Sequence, residues 1–335
     1  MIVRSTAIHR RRLVVRRFIA ERQETRHEWR YYELGHFRNG FQSAELEMSE
    51  RKIVFYTRRA IFLLTAVVVA IPLLVKIEMP VVVGWPARNL YEAVERVPPD
   101  KIVVVSISWS AGSKGETAPQ TTALIRHLAK SGKRFAIWSF SDIQGPELAQ
   151  AIAAPLADEY KRKYGVDWVN WGYKSGAASM MRGWAQDIWG TIKEDRNGTP
   201  VAKLPFMQKA HSYKDIGLII DISAGSLSGT PTFRYYVQFL KGIYNVPVGC
   251  ACTGVMAAET FPYLDSKQIV GMLRGLAGAA EYEELVGFHG EGIRRMTAQS
   301  FAHLFVIALI ILGNVGYFLG KRRSAQSPSP QEQQK

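Results

Sequence analysis

The sequence contains very few cysteines, only Cys250 and Cys252 among 335 residues. They lie two positions apart in a run that predicts a buried strand. Side chains two apart share a face, with Cα atoms roughly 6.5–7 Å apart, at the edge of disulfide geometry. Neither is spaced with histidine or aspartate as in a structural metal site. We interpret both as small core residues and predict no metal.

The chain also lacks GxGxxG and GxxxxGK[ST], the two glycine-rich fingerprints of nucleotide binding. It has no internal repeat, and its one low-complexity segment is the polar C-terminal run SAQSPSPQEQQK. We therefore predict no cofactor.

Acidic residues are too few to balance the basic residues at both ends of the chain. Residues 1–59 carry fourteen Lys or Arg against seven Glu, and residues 321–335 carry four against one, so +4 of the net charge of +14 is left for the residues between. Basic ends next to apolar segments indicate membrane topology before they indicate nucleic-acid binding. We expect both termini to be cytoplasmic and no nucleic-acid partner.

Two apolar segments are long enough to cross a bilayer, whose core of about 30 Å takes about 20 helical residues. FAHLFVIALIILGNVGYFL meets that length directly and predicts a transmembrane helix over 299–320. AIFLLTAVVVAIPLLV is shorter than this length. A span over 58–77 therefore requires the Lys76 side chain to extend toward the headgroups and Pro72 to kink the helix rather than end it. The alternatives are a buried core helix or a signal peptide, but no small-residue cleavage site follows. We expect an integral protein of the plasma or inner membrane.

These spans divide the chain into a basic cytoplasmic tail (1–57), an extracytoplasmic domain (78–298) and a disordered cytoplasmic tail (321–335). The first tail interleaves basic clusters with aromatic residues, as in segments that lie on an anionic leaflet or touch RNA. A disordered tail that obeys the positive-inside rule is the favoured interpretation. A further alternative is that the natural start is Met48, because MSERKIVFYTRR forms a short cytoplasmic lead into the span.

The middle of the chain alternates short β-branched runs with helical patterns, which predicts βαβ units and a parallel sheet covered on both faces. A linker helix precedes it, around LYEAVERV. We predict an α/β fold with a doubly wound, mostly parallel five-stranded sheet, flavodoxin- or Rossmann-like, flanked by the two transmembrane helices. The predicted strands are 102–107, 134–140, 166–171, 216–222 and 246–252; the predicted helices are 120–130, 146–164, 177–189, 233–242 and 266–285.

In such a sheet, ligands sit beyond the carboxyl ends of the strands, where the strand order reverses. The loops 108–116 and 223–230 follow strands expected to be neighbours, and both are rich in Ser and Gly. Their residues would line a crevice for a small polar or anionic ligand, unless they are ordinary tight turns, which use the same residues. The candidate ligand-binding residues are Ser110, Lys114, Glu116, Asp142, Tyr173 and Ser226.

One motif resembles a catalytic motif. AGSKG, residues 111–115, has the form A-x-S-x-G between a strand and a helix, a relaxed variant of the nucleophile elbow of α/β-hydrolases. Ser113 would be the nucleophile, with partners sought among four residues: Asp221, Asp265, His211 and His289. The elbow follows the first strand of the domain rather than a central one and lacks the first Gly.

Asp142 loosely resembles the ribose-binding acid of a dinucleotide fold, but we favour a role as a helix cap or turn residue.

The predicted last helix, 266–285, places Gly271, Gly275 and Gly278 along one side. Small residues at this spacing allow close helix approach, so a second copy or an envelope protein would dock there. Packing on the sheet of the same domain is the favoured alternative.

The strings YNVPVGCACTGVMAAETFPYLDSKQIVGMLRGLAGAAEYEEL, QGPELAQ and DWVNWGY resemble a group of uncharacterised prokaryotic membrane proteins built as span, α/β domain, span. The resemblance covers 58–319 and implies an architecture but no catalytic residue. It does not cover the basic segment before Met48.

Two functional hypotheses follow from the sequence. The first is a membrane-anchored module that binds a partner protein or small ligand, as part of an envelope or transport assembly. The second is a membrane-anchored hydrolase that uses the loop 110–116.

Overall fold

The structure, a computed structural model, describes residues 55–75 and 77–326, with the backbone alone from residue 322 onward. Four predictions lie outside this part: those for the N-terminal tail before residue 55, for the start at Met48, for Lys76 and for the tail from residue 327 onward. The second of the chain's two compact units begins at Val68 and contains the α/β domain with the C-terminal helix.

Two helices are long and apolar enough to cross a membrane, α1 (Phe55–Val75) and the C-terminal α11 (Glu291–Gln326). Their apolar parts correspond to the two spans predicted from the sequence. Pro72 lies inside α1 without ending it. The helix α11 begins ten residues before the apolar run and packs its first turns on the α/β domain, where Ile293, Thr297 and Ala298 are buried.

The domain contains a six-stranded parallel sheet with the order β3-β2-β1-β4-β5-β6. From β1 the chain winds outward through β2 and β3, then returns to the other side of β1 and winds outward again. This is the order of the doubly wound dinucleotide-binding fold. The strands are β1 (Ile102–Ser108), β2 (Arg134–Ser139), β3 (Trp168–Tyr173), β4 (Ile216–Ser223), β5 (Val248–Cys252) and β6 (Met272–Arg274).

Helices cover both faces of the sheet, and alternate residues of each strand enter separate cores. In β1, Ile102 and Val104 face one core, while Val103, Val105 and Ile107 face the other. The core that contains Val103, Val105 and Ile107 lies under α2 (Trp85–Glu95), α3 (Lys114–Lys130), α4 (Gly145–Glu159) and α10 (Gly275–Val286). The core that contains Ile102 and Val104 lies under α5 (Ala177–Gln186), α6 (Ile188–Ile192), α7 (Thr232–Tyr236), α8 (Gly242–Tyr244) and α9 (Ala257–Asp265). A five-residue π-helical segment, Val237–Lys241, joins α7 to α8.

The predicted fold class is confirmed, but the strand count of five is wrong. The sixth strand is β6, and it falls inside the segment predicted as a helix over 266–285. That helix begins only at Gly275, and α9 occupies part of the preceding stretch that was left unassigned. Both cysteines are free and buried in β5, as the prediction of small core residues requires.

The glycines of the predicted interaction face are occupied by packing within the domain. A Cβ at Gly271 would lie 2.3 Å from the Leu90 backbone nitrogen, and one at Gly278 would lie 2.8 Å from the Leu273 backbone. Gly275 has a φ of +50° and contacts the Gly254 loop. These residues therefore seat α2 and α10 against the sheet. Association with a partner through this region stays a prediction, without a free glycine face to support it.

Candidate functional site

The crevice at the carboxyl ends of β2, β1 and β4 is the candidate site. The strands β1 and β4 are hydrogen-bonded neighbours, and the chain leaves them in opposite directions, which is the switch point where doubly wound sheets bind ligands. The crevice has a volume of about 340 Å³, at the small end of the range for ligand sites. Six of its eleven lining residues carry a hydroxyl: Ser108, Ser110, Ser113, Ser141, Ser226 and Thr232.

A buried carboxylate, that of Asp221 in β4, lies beneath this crevice. It accepts hydrogen bonds from the hydroxyls of Ser106 at 2.6 Å, Ser108 at 2.8 Å and Thr232 at 2.6 Å. Ser106 and Asp221 are partners in the register of β1 and β4, and Ser108 is the next residue on the same face of β1. The side-chain period of two therefore directs both serines toward this carboxylate.

Burial raises the pKa of Asp221 to about 6, because the folded protein removes water from the carboxylate; the three hydroxyl donors partly offset this. Near neutral pH the carboxylate is ionised and only accepts hydrogen bonds. Ser108 and Thr232 therefore direct their protons inward, toward Asp221. Both residues also line the crevice, and the Ser108 oxygen presents its lone pairs to whatever enters it. The Thr232 oxygen also lies 2.8 Å from the Ser223 hydroxyl, which donates either to it or to the Gly225 carbonyl oxygen, so at least one Thr232 lone pair faces the crevice.

The structure brings together four of the residues predicted from the sequence: Ser110, Ser113, Asp142 and Ser226. The other three do not line this crevice. Lys114 begins α3 and is exposed. Glu116 turns toward β5, where its carboxylate accepts from the Gly254 backbone nitrogen at 2.8 Å. Tyr173 ends β3, two strands away from β1.

Asp142 forms the turn that enters α4, as the turn interpretation expects; the N-cap residue of α4 is Gln144, without a side-chain cap hydrogen bond. Its Oδ1 accepts from the backbone nitrogens of Gln144 at 2.8 Å and Gly145 at 3.2 Å. Position 145 requires glycine, because a Cβ there would lie 2.5 Å from the Ile107 carbonyl oxygen of β1. This close approach fixes the turn against β1. The Asp142 Oδ2 receives no hydrogen bond from any residue described in the structure, and the side chain lines the crevice.

Ser113 lacks the surroundings of a catalytic nucleophile. Its hydroxyl donates to the Ser110 carbonyl oxygen at 3.2 Å, and no described histidine or carboxylate hydrogen-bonds it. His211 stacks on Trp189 with ring centroids 4.7 Å apart, and His289 bonds Glu78. A base within hydrogen-bond reach is what a nucleophile of this kind needs.

Sequence reasoning missed four lining residues whose side chains carry a polar group: Ser108, Trp109, Ser141 and Thr232. Trp109 is 2% exposed, and its indole N–H has no hydrogen-bond partner among the described residues; the same holds for the Ser141 hydroxyl. Ser108 ends β1, Trp109 follows it directly, and Ser141 lies two residues after β2, so their position at the end of a strand was the available signal. Thr232 was beyond such reasoning, because a short hairpin (Ser226–Leu227 with Thr230–Pro231) folds it back over β4.

A second, larger cavity of about 730 Å³ lies away from this edge, between the Val237–Lys241 segment and the end of α9. Arg234, Lys241 and Lys267 contribute to its lining, and none of them forms an ion pair with a described carboxylate. Five of its nine lining residues are exposed, so its walls are surface groups rather than buried strand ends. The smaller crevice is therefore the candidate site.

Within residues 55–75 and 77–326, no group of three His, Cys, Asp or Glu side chains is placed to hold a metal ion. No family model, curated protein or solved structure matches the chain. The resemblance to span, α/β domain, span proteins therefore stays a prediction. The fold and the crevice define an α/β domain with a polar site at its switch point.

Proposed function

We propose that the protein is a membrane-anchored α/β module that binds a small, uncharged ligand rich in hydroxyl or amide donors. The observation that carries this proposal is the chemistry of the crevice. Ser108 and Thr232 commit their protons to Asp221 and offer oxygen acceptors to the ligand, and Asp142 adds a carboxylate oxygen with no partner in the described structure. A ligand that donates hydrogen bonds satisfies these groups.

An anionic ligand fits the same crevice less well. Its eleven lining residues include the carboxylate of Asp142 and neither lysine nor arginine, and the ionised Asp221 lies directly beneath. Like charges at this range are unfavourable in a site with little water. The lining hydroxyls of Ser110 and Ser226 donate to no described residue, so they can donate to the neutral oxygens of a hydroxylated ligand.

The proposed location is the plasma or inner membrane, with both termini cytoplasmic and the α/β domain on the opposite side. Support comes from the two long apolar helices and from the basic residues concentrated outside them. A module of this kind would act as the ligand-binding part of a larger envelope or transport assembly.

Binding of simple probes to the full-length protein in detergent micelles tests the ligand class. Saturation-transfer ¹H NMR with myo-inositol and glucose reports binding of neutral polyols, and the ³¹P line width reports binding of inorganic phosphate. We expect saturation transfer to a polyol and no broadening of the phosphate line. Phosphate binding without polyol binding, or binding of neither, would contradict the proposal.

A further inference from the structure

The helix that leaves the domain is continuous with the helix that is long enough to cross a membrane. It runs unbroken from Glu291 to Gln326, and Ile293, Thr297 and Ala298 are buried against the domain. The carboxylate of the buried Glu283 accepts from the backbone nitrogens of Gly292 and Ile293, both at 2.8 Å, which fixes the start of α11 on α10. A continuous helix therefore joins the domain to the apolar section of α11.

This helix passes the carboxyl edge of the sheet as it leaves the domain. The side chain of Arg295 donates to the Gly115 carbonyl oxygen at 2.9 Å, and Gly115 lies in the first turn of α3, directly after the crevice loop. Up to residue 321, the last buried residue of α11 is Ala298, only three positions further on. The crevice edge therefore lies on the side from which the apolar helix emerges.

The distance from that edge to the bilayer core follows from helix geometry. The apolar run starts at Phe301, six residues after Arg295, which corresponds to about 9 Å along the helix axis. Each headgroup layer of a bilayer is roughly 5–8 Å thick. Gly115 is thus separated from the hydrocarbon by little more than one headgroup layer.

Two apolar side chains project from loops at this same edge. Val255 follows β5 and is 88% exposed, and Ile143 follows β2 and is 70% exposed. Single exposed apolar residues are common on soluble surfaces and carry little weight alone. Here, however, they belong to loops at the same edge as Gly115, which the emerging helix contacts through Arg295, and the exposed Lys114 adds a cation suited to headgroup phosphates.

We infer that the carboxyl edge of the sheet docks on the lipid headgroup layer, with Ile143 and Val255 inserted at the interface. The partner of this surface is the bilayer itself, and the crevice opens toward the membrane surface rather than toward bulk water. A ligand of the crevice then reaches it from the headgroup layer. This inference rests on the membrane anchoring proposed above.

Lipid-borne quenchers test the docking directly in the full-length protein reconstituted into phosphatidylcholine vesicles. A fluorophore is attached to I143C or V255C in separate samples, and quenching by lipids with a nitroxide at the headgroup is compared. Matched controls are I243C and V166C, because these exposed apolar residues precede β5 and β3 at the opposite edge. Unsubstituted protein measures labelling of the buried native cysteines.

We expect quenching at positions 143 and 255 to be several-fold stronger than at 243 and 166. Equal quenching at all four positions, or stronger quenching at the controls, overturns the docking while leaving the anchoring intact. Retention of the protein in the vesicles is measured in the same samples by flotation. A protein that does not float with the vesicles overturns both the docking and the anchoring, so the two failures are distinguishable.

Discussion

The carboxylate of Asp221 determines how the crevice hydroxyls are oriented. It is fully buried and is shared by three hydroxyl donors from β1 and α7. Because burial raises its pKa to about 6 from an ordinary value of 3.8, the folded state holds a proton more tightly than the unfolded chain does. This contribution to stability is fully present below the unfolded pKa and is lost as the pH rises through about 6.

Replacing Asp221 with asparagine removes that pH dependence. We expect the stability of the unsubstituted protein, relative to D221N, to rise as the pH falls from 7 to 4, by at most about 3 kcal/mol for a shift of roughly two pKa units. Thermal unfolding followed by tryptophan fluorescence in detergent measures the difference. A difference that does not change with pH would show that Asp221 is not the titrating group.

For individual residues, the sequence indicated a place at the crevice where a residue follows the end of a strand. Ser110, Ser113, Asp142 and Ser226 follow strands that were predicted correctly, so their place at the crevice followed from strand order. Lys114 and Glu116 lie on the same loop and helix start but leave the crevice, because a helix turns successive side chains by about 100°. Sequence spacing in an irregular loop does not specify that direction.

At the level of elements, α2 packs closely against β5 and β6 because the glycines at this junction have no side chains. A Cβ at Gly271 would lie 2.3 Å from the Leu90 nitrogen and 2.6 Å from its Cα, and backbone atoms there cannot rotate away. We expect G271A to lower the free energy of unfolding by about 1–3 kcal/mol or more, as in overpacked cores.

The matched control for that prediction is G115A, at a position where a Cβ meets no heavy atom within 4 Å. Because Gly115 lies inside α3, alanine there should be neutral or stabilise by up to about 1 kcal/mol. Thermal melts of both variants provide the comparison. Equal stability of G271A and G115A would mean that α2 is not held tightly against the sheet.

The same junction explains why one strand was missed. The strand β6 has only three residues and lies between Gly271 and Gly275, in a stretch whose apolar spacing also matches a helix. Periodicity cannot separate a short buried strand from a helix segment. The five longer strands were recognisable because β-branched and aromatic runs alternate with helical patterns over the whole domain.

For the whole molecule, charge at the ends of the chain predicts orientation. A reporter that is active only outside the cytoplasm should work when inserted near Gly198, where glycine has a φ of +76° in an exposed turn. A reporter that is active only in the cytoplasm should work when fused after Arg323. The reverse pattern of activities would contradict the proposed topology. The sequon at Asn197 provides an independent check in a host that glycosylates such sites, because modification there requires the same location.

The most direct measurement of the central claim compares two leucine substitutions in the full-length protein. Gly112 lines the crevice and Gly115 does not, and a Cβ at either position meets no heavy atom within 4 Å. We expect saturation transfer to myo-inositol to be lost in G112L and retained in G115L, with both variants melting like the unsubstituted protein. Retained transfer in G112L, or equal loss in both folded variants, would contradict a ligand site at the carboxyl ends of β1 and β4.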